Sequence, residues 1–111
     1  MKIAIIGSRT LCISNLQDYL PSDISEIVSG GAKGIDICAR NYAIEHHIKL
    51  TEFLPDYSKY GRSAPLIRNI QIVEYADEVI AFWDGHSNGT VFTLKEAKKR
   101  NKKVRIFKLM Q

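Results

Sequence analysis

Apolar residues alternate between two rhythms along this chain. Short unbroken apolar runs are separated by longer stretches in which apolar positions recur at helical spacing. Ile3-Ala4-Ile5-Ile6, closed by Gly7, reads as a central strand buried on both faces. Ile24 to Ser29, Ile48 to Leu54, Asp77 to Trp83 and Val104 to Leu109 read as the second to fifth strands. Between the first two, Ser14 and Gln17 form a capping box that opens a short helix carrying Leu16 and Leu20, which Pro21 ends. Ile35, Ala39, Tyr42, Ala43 and His46 mark a long helix reaching about His47. Asp56 to Gly61, DYSKYG, reads as a polar loop. Pro65 suits the first turn of the next helix, whose apolar face is Leu66, Ile70, Val73 and Ala76. Val91, Leu94 and Ala97 mark the last helix, and Asn101 can close it in a left-handed conformation.

Strands that alternate with helices imply a parallel sheet with crossover helices on its faces. The expectation is an α/β, Rossmann-like three-layer domain over residues 1–111, with a five-stranded parallel sheet in the order 3-2-1-4-5. In that order the chain switches direction between strands 1 and 4, and ligands bind beyond the carboxyl ends of the strands there. Glycine-bearing loops follow strands 1, 2 and 4, so all of them belong to that edge.

The stretch around which this edge is organised is IVSGGAKGID, Ile27 to Asp36. A strand that turns on glycines into a helix leaves free amides at the positive end of a helix dipole, an anion site. Gly30, Gly31 and Gly34 allow a ligand to approach the backbone, and Lys33 adds a positive charge. Gly7-Ser8-Arg9 leaves the first strand, and the fork of Arg9 suits a phosphate. Gly89-Thr90 repeats the anion-site logic at the last helix. Asp36 either favours its helix dipole or holds a ribose or base edge. Asp84, where a strand ends, is placed for a polar ligand contact, and the ribose and base are expected toward Asp36, Asp84 and Trp83. Arg68-Asn69 is either a surface pair or within reach of the loops. His46, His47 and His86 have no metal-ligand spacing, so neither metal nor cofactor is expected. GxGxxG after the first strand and GxxxxGK[ST] are both absent, which argues against a dinucleotide dehydrogenase and a P-loop NTPase.

Charge changes the picture slightly. From Lys95 onward there are eight Lys/Arg and one acid, Glu96, although the formal net charge is only +4. Cations at a helix C-terminus complement its dipole, and no aromatic residues interleave these as base-stacking platforms. Cys12 and Cys38 lack CxxC spacing and read as buried thiols. No apolar run approaches a membrane span and the N-terminus lacks signal-peptide character, so a cytoplasmic protein is expected.

Taken together, IIGSR at 5–9, VSGGAKGID at 28–36, APLIRN at 64–69 and ADEVIAFWDGHSNGT at 76–90 resemble the SLOG superfamily. That superfamily includes the bacterial DNA-processing protein and the Lonely-guy phosphoribohydrolases. The whole chain is similar to its small single-domain bacterial and phage members. The resemblance implies a Rossmann-like domain that binds nucleotides or nucleotide-derived ligands, in some members ADP-ribose derivatives. It implies binding roles for Gly7, Ser8, Arg9, Gly30, Gly31, Lys33, Gly34, Asp36, Arg68, Asn69, Gly89 and Thr90. It also implies a departure. The phosphoribohydrolases carry a glutamate three residues after the threonine of their glycine loop, where this chain has Thr93. An oxocarbenium-like transition state needs a nearby carboxylate, so the balance leans away from an enzyme.

Three readings follow. A sensor or binding domain for a nucleotide or ADP-ribose-like small molecule stands first. A nucleoside-monophosphate phosphoribohydrolase, an N-glycosidase using Asp36, Asp84 or Glu96, stands second. A DNA-binding protein acting through the basic tail stands third. A homo-oligomer, a dimer first, is the expected assembly; nucleic acid ranks below the small molecule as a partner, and no membrane partner is expected.

Overall fold

The computed structural model describes residues 1–109. Five parallel strands form one sheet in the order β3-β2-β1-β4-β5: β1 (Lys2–Gly7), β2 (Glu26–Ser29), β3 (Lys49–Glu52), β4 (Glu78–Trp83) and β5 (Lys103–Lys108). The predicted order is the observed one. Helix α1 (Ile35–Glu45) packs on one face, while α3 (Ala64–Tyr75) and α4 (Asn88–Lys99) cover the other. The small helix α2 (Tyr57–Tyr60) lies between β3 and α3.

Strand periodicity builds these layers. Successive side chains point to opposite faces of a sheet. Ile3 and Ile5 therefore join Ile27, Ile80 and Phe82 against Ile35, Ala39 and Ala43 of α1. Ala4 and Ile6 join Val28, Val79 and Ala81 against Ile72, Val73, Leu94 and Ala97 of α3 and α4. Strands buried on both faces are apolar along most of their length, which is why β1 and β4 read as runs rather than alternations. Tyr19 closes the α1 side near β5, with its ring edge-on to Phe82 and Phe107 at 5.1 and 4.8 Å. No helix among the described residues is long and apolar enough to cross a membrane.

Several local expectations are corrected. The Ser14/Gln17 capping box does not form: the turn is a 3-10 turn over Leu16–Asp18, held by Asn15 Nδ2 donating to Asp18 Oδ2 at 2.9 Å. The polar DYSKYG segment is helical, because Asp56 caps α2 by accepting from the Lys59 amide. A 3-10 turn over Gly61–Ser63 then leads into α3. Helix α1 ends at Glu45, which leaves His46 exposed rather than on the buried face. The buried stripe of α3 is rotated from the predicted one, burying Arg68 beside Ile72 and Val73 and exposing Leu66. Neither cysteine is buried: Cys12 is exposed and Cys38 is half-buried.

Candidate functional site

The loops after β1, β2 and β4 meet at the carboxyl edge of the sheet. Ser8 is buried between them, its amide donating to the Phe82 carbonyl and its Oγ accepting from the Asp84 amide, both at 3.1 Å. Gly34, with φ +71°, brings the turn before α1 against this loop: a Cβ there would stand 2.6 Å from the Ser8 and Arg9 carbonyl oxygens. No L-residue side chain fits that contact, so Gly34 is required by the fold itself.

Asp36 sits in the first turn of α1, and its Oδ2 accepts from the Ala32 amide at 3.1 Å, folding the glycine turn back on itself. Burial raises its carboxyl above the usual value, against the lowering effects of the Ala32 amide and the Arg68 charge. Arg68 comes from α3 and is only 7% exposed. Its Nη1 donates to the Gly30 carbonyl at 2.6 Å and its Nε to Asn69 Oδ1 at 2.8 Å. A Cβ on Gly30 would lie 2.5 Å from Arg68 Nη1, so this guanidinium lies against bare backbone. Arg68 makes no ion pair among the described residues; Asp36 is an electrostatic neighbour without a hydrogen bond to it. Burial lowers its pKa, and the nearby charge of Arg9 adds to that.

Asp84 organises the third loop. Its Oδ1 accepts from the His86 and Ser87 amides at 2.8 and 2.9 Å, and its Oδ2 accepts from Thr10 Oγ1 at 3.2 Å. The two amides hold its carboxyl down at about 2. Ser87 is the residue before α4 and makes no side-chain cap, so the leading amides of the helix lack the usual protein acceptor. Gly89 in that first turn has nothing within 4 Å of where a Cβ would be. Its missing side chain, unlike those of Gly30 and Gly34, answers no packing need among the described residues.

These elements line a cleft of about 350 Å³. Gly7, Arg9, Gly30, Asp36, Arg68, Asn69, Asp84, Gly89 and Thr90, all predicted from sequence, are brought together in its wall. A second lobe of about 370 Å³ shares Arg9, Gly30, Ala32 and Arg68 with the first and adds the predicted Gly31 and Lys33. Ser8 and Gly34 stand behind the wall as supports. Trp83 is outside both lobes, its indole N–H donating to the Ser87 carbonyl at 3.1 Å.

Sequence reasoning missed Thr10, Ser87 and Pro65 in the first lobe, and Leu54 and Tyr57 in the second. Leu54 and Tyr57 are 62% and 59% exposed, large side chains left open at the rim. The signal for Tyr57 is the pair of tyrosines in DYSKYG, a segment that reads as a polar loop; Leu54 reads as the end of the third strand and carries none. Thr93 lines the first lobe but is spent within its helix, Oγ1 donating to the Gly89 carbonyl at 2.9 Å. Glu96 lies outside both lobes and pairs with Arg100 at 3.4 Å. Comparison with family models, curated proteins and solved structures finds no match to this chain.

Proposed function

We propose that this cleft binds a phosphorylated, nucleotide-type ligand of the ADP-ribose kind and acts as a binding or sensing domain. The observation that carries the reading is Arg68: a buried guanidinium in the cleft wall without an ion pair, beside a second arginine, Arg9. A buried cation is costly without a well-placed counter-charge, and Asp36, its acidic neighbour, makes no hydrogen bond to it and is itself pushed toward the neutral form by burial. An anion in the cleft would supply the hydrogen-bonded charged partner that Asp36 does not. The open first turn of α4 adds dipole and amides to the same point. The phosphate then lies between Arg9, Arg68 and Gly89. The nucleoside extends into the second lobe toward Leu54 and Tyr57, where an apolar ring covers exposed side chains. This replaces the direction toward Trp83, whose indole N–H is already engaged.

Binding without cleavage is the favoured form. Asp84 is committed to two backbone amides, and the glutamate position of the phosphoribohydrolases carries a threonine bonded to its own helix. Base release from AMP is therefore expected to be absent. DNA binding through the tail ranks lower because two of its eight cations are ion-paired and a third is tied to a backbone carbonyl. Arg100 pairs with Glu74 and Glu96, Arg105 pairs with Glu78 at 3.0 Å, and Lys102 Nζ donates to the Ala76 carbonyl at 2.7 Å.

Calorimetry with AMP, ADP-ribose, cyclic ADP-ribose and inorganic phosphate tests the proposal. Arg9→Ala removes a charge-assisted contact and should weaken nucleotide binding roughly 10- to 100-fold, or about 1.5–3 kcal/mol. Gly89→Ala should weaken it while raising stability by about 0.5 kcal/mol, since the new methyl enters open cleft and improves helix propensity. Equal binding by wild type and both variants would place the ligand elsewhere.

A further inference from the structure

Away from the cleft, the sulfurs of Cys12 and Cys38 face one another. Cys38 is on α1, two residues beyond Asp36; Cys12 is in the loop that continues from Arg9 and Thr10. The Cys38 thiol is directed at Cys12 Sγ, with the sulfurs 3.7 Å apart. The Ile13 amide donates to Cys38 Sγ at 3.4 Å, fixing that sulfur beside the loop. Cys12 is exposed and Cys38 half-buried, so a reagent in solution meets Cys12 first and Cys38 stands behind it. A depression of about 500 Å³ opens at the pair, giving a small disulfide room to approach. No group of three or more metal-ligating side chains includes the pair among the described residues.

We propose that Cys12 and Cys38 form a reversible dithiol–disulfide pair, with Cys12 the attacking and Cys38 the resolving cysteine. The co-reactant is a low-molecular-weight disulfide. The Cys12 thiolate attacks one sulfur of that disulfide, forming a mixed disulfide and releasing one small thiolate. Cys38 gives its proton to solvent and attacks Cys12 Sγ, forming the internal bond and expelling the second small thiolate. The two protein thiols lose two electrons and two protons, and the small disulfide is reduced to two thiols. The sulfurs must close from 3.7 Å to the bonded distance of about 2 Å. Cys12 lies in an irregular loop between β1 and the 3-10 turn, so side-chain rotation there needs no strand or helix to move. The bond would join the loop bearing Arg9 and Thr10 to the helix bearing Asp36, fixing two walls of the cleft to each other. It rests on the cysteine geometry alone and stands whether or not the cleft binds a nucleotide.

The test is mass spectrometry of the full chain after incubation with oxidised glutathione. Wild type should lose the mass of two hydrogens, carry no glutathione and return to its starting mass with dithiothreitol. Cys38→Ser should retain one glutathione on Cys12, because nothing resolves it. Cys12→Ser should react more slowly, through half-buried Cys38. The oxidised wild type should melt roughly 5–15 °C above the reduced form, because the crosslink constrains the unfolded chain. It should also be cut more slowly by trypsin after Arg9. Stable glutathione adducts on wild type, crosslinks only between chains, or no reaction at all would overturn the pairing. Unchanged tryptic cleavage would overturn the claim that the bond fixes the loop.

Discussion

Gly30→Ala offers a sharp test of how the site is built. Gly30 is not among the positive-φ residues, so alanine brings no backbone strain there. What it brings is a Cβ at 2.5 Å from Arg68 Nη1, 2.9 Å from its Cζ and 3.1 Å from Asp36 Oδ2. The guanidinium must withdraw, and its 2.6 Å bond to the Gly30 carbonyl goes with it. A hydrogen bond to a charged group contributes about 1.5–3 kcal/mol. Replacing glycine returns about 0.4–1 kcal/mol through the less flexible unfolded chain. The expected net loss is about 0.5–2.6 kcal/mol, a fall in Tm of roughly 2–15 °C for a chain of this size. Urea denaturation of four proteins should show the source: wild type, Gly30→Ala, Arg68→Met and the double variant. Methionine keeps the apolar stem but stops short of Gly30. In the Arg68→Met background the alanine should therefore cost less than about 0.5 kcal/mol. Additivity of the two changes to within about 0.5 kcal/mol would refute the reasoning, because contact between the two groups demands coupling.

Other consequences are as direct. Gly31→Val should destabilise the fold, measured by thermal melt: φ is +68° there and a Cβ would meet Leu54 Cδ2 at 2.6 Å, so lost ligand binding in that variant would say nothing about the cleft. The carboxyl of Asp36 is raised above 3.8 by burial, so the folded state holds its proton more tightly than the unfolded chain. Its contribution is fully present below pH 3.8 and lost as pH rises through the raised value; wild-type stability relative to Asp36→Asn should therefore fall over that interval, and a rise would contradict the assignment. Asp84 has the opposite sign, held at about 2 by the His86 and Ser87 amides. The stability that wild type has over Asp84→Ala should be full above pH 3.8 and shrink as pH falls toward 2; a difference independent of pH would mean that the carboxylate does not cap this loop.

The sequence by itself determined the layers, the strand order and the edge that carries the cleft. Buried parallel strands show nearly continuous apolar runs and helices an apolar stripe on one side, so Ile3–Ile6 and Val79–Phe82 could be read without any tertiary information. Glycines after strands 1, 2 and 4 marked where the loops converge, because a missing Cβ is visible in the sequence itself. What each glycine is for was decided only by the tertiary structure. Gly34 makes room for the Ser8–Arg9 backbone, Gly30 for Arg68, and Gly89 for nothing among the described residues. The same holds for charge. Arg68 reads as either a surface residue or one within reach of the loops, and the fold decides for the loops because α3 turns it toward the glycine turn. Asp84 reads as a ligand contact, and only the fold shows that in the cleft wall its carboxylate also accepts from two amides three residues or fewer away. Cys12 and Cys38 are 26 residues apart and read as unrelated, yet a strand, a turn and one helical turn return the second sulfur to the first. Periodicity is a local property that sequence records directly. Which side chain answers which backbone group depends on distances between segments far apart in the chain, and only the packed fold sets those.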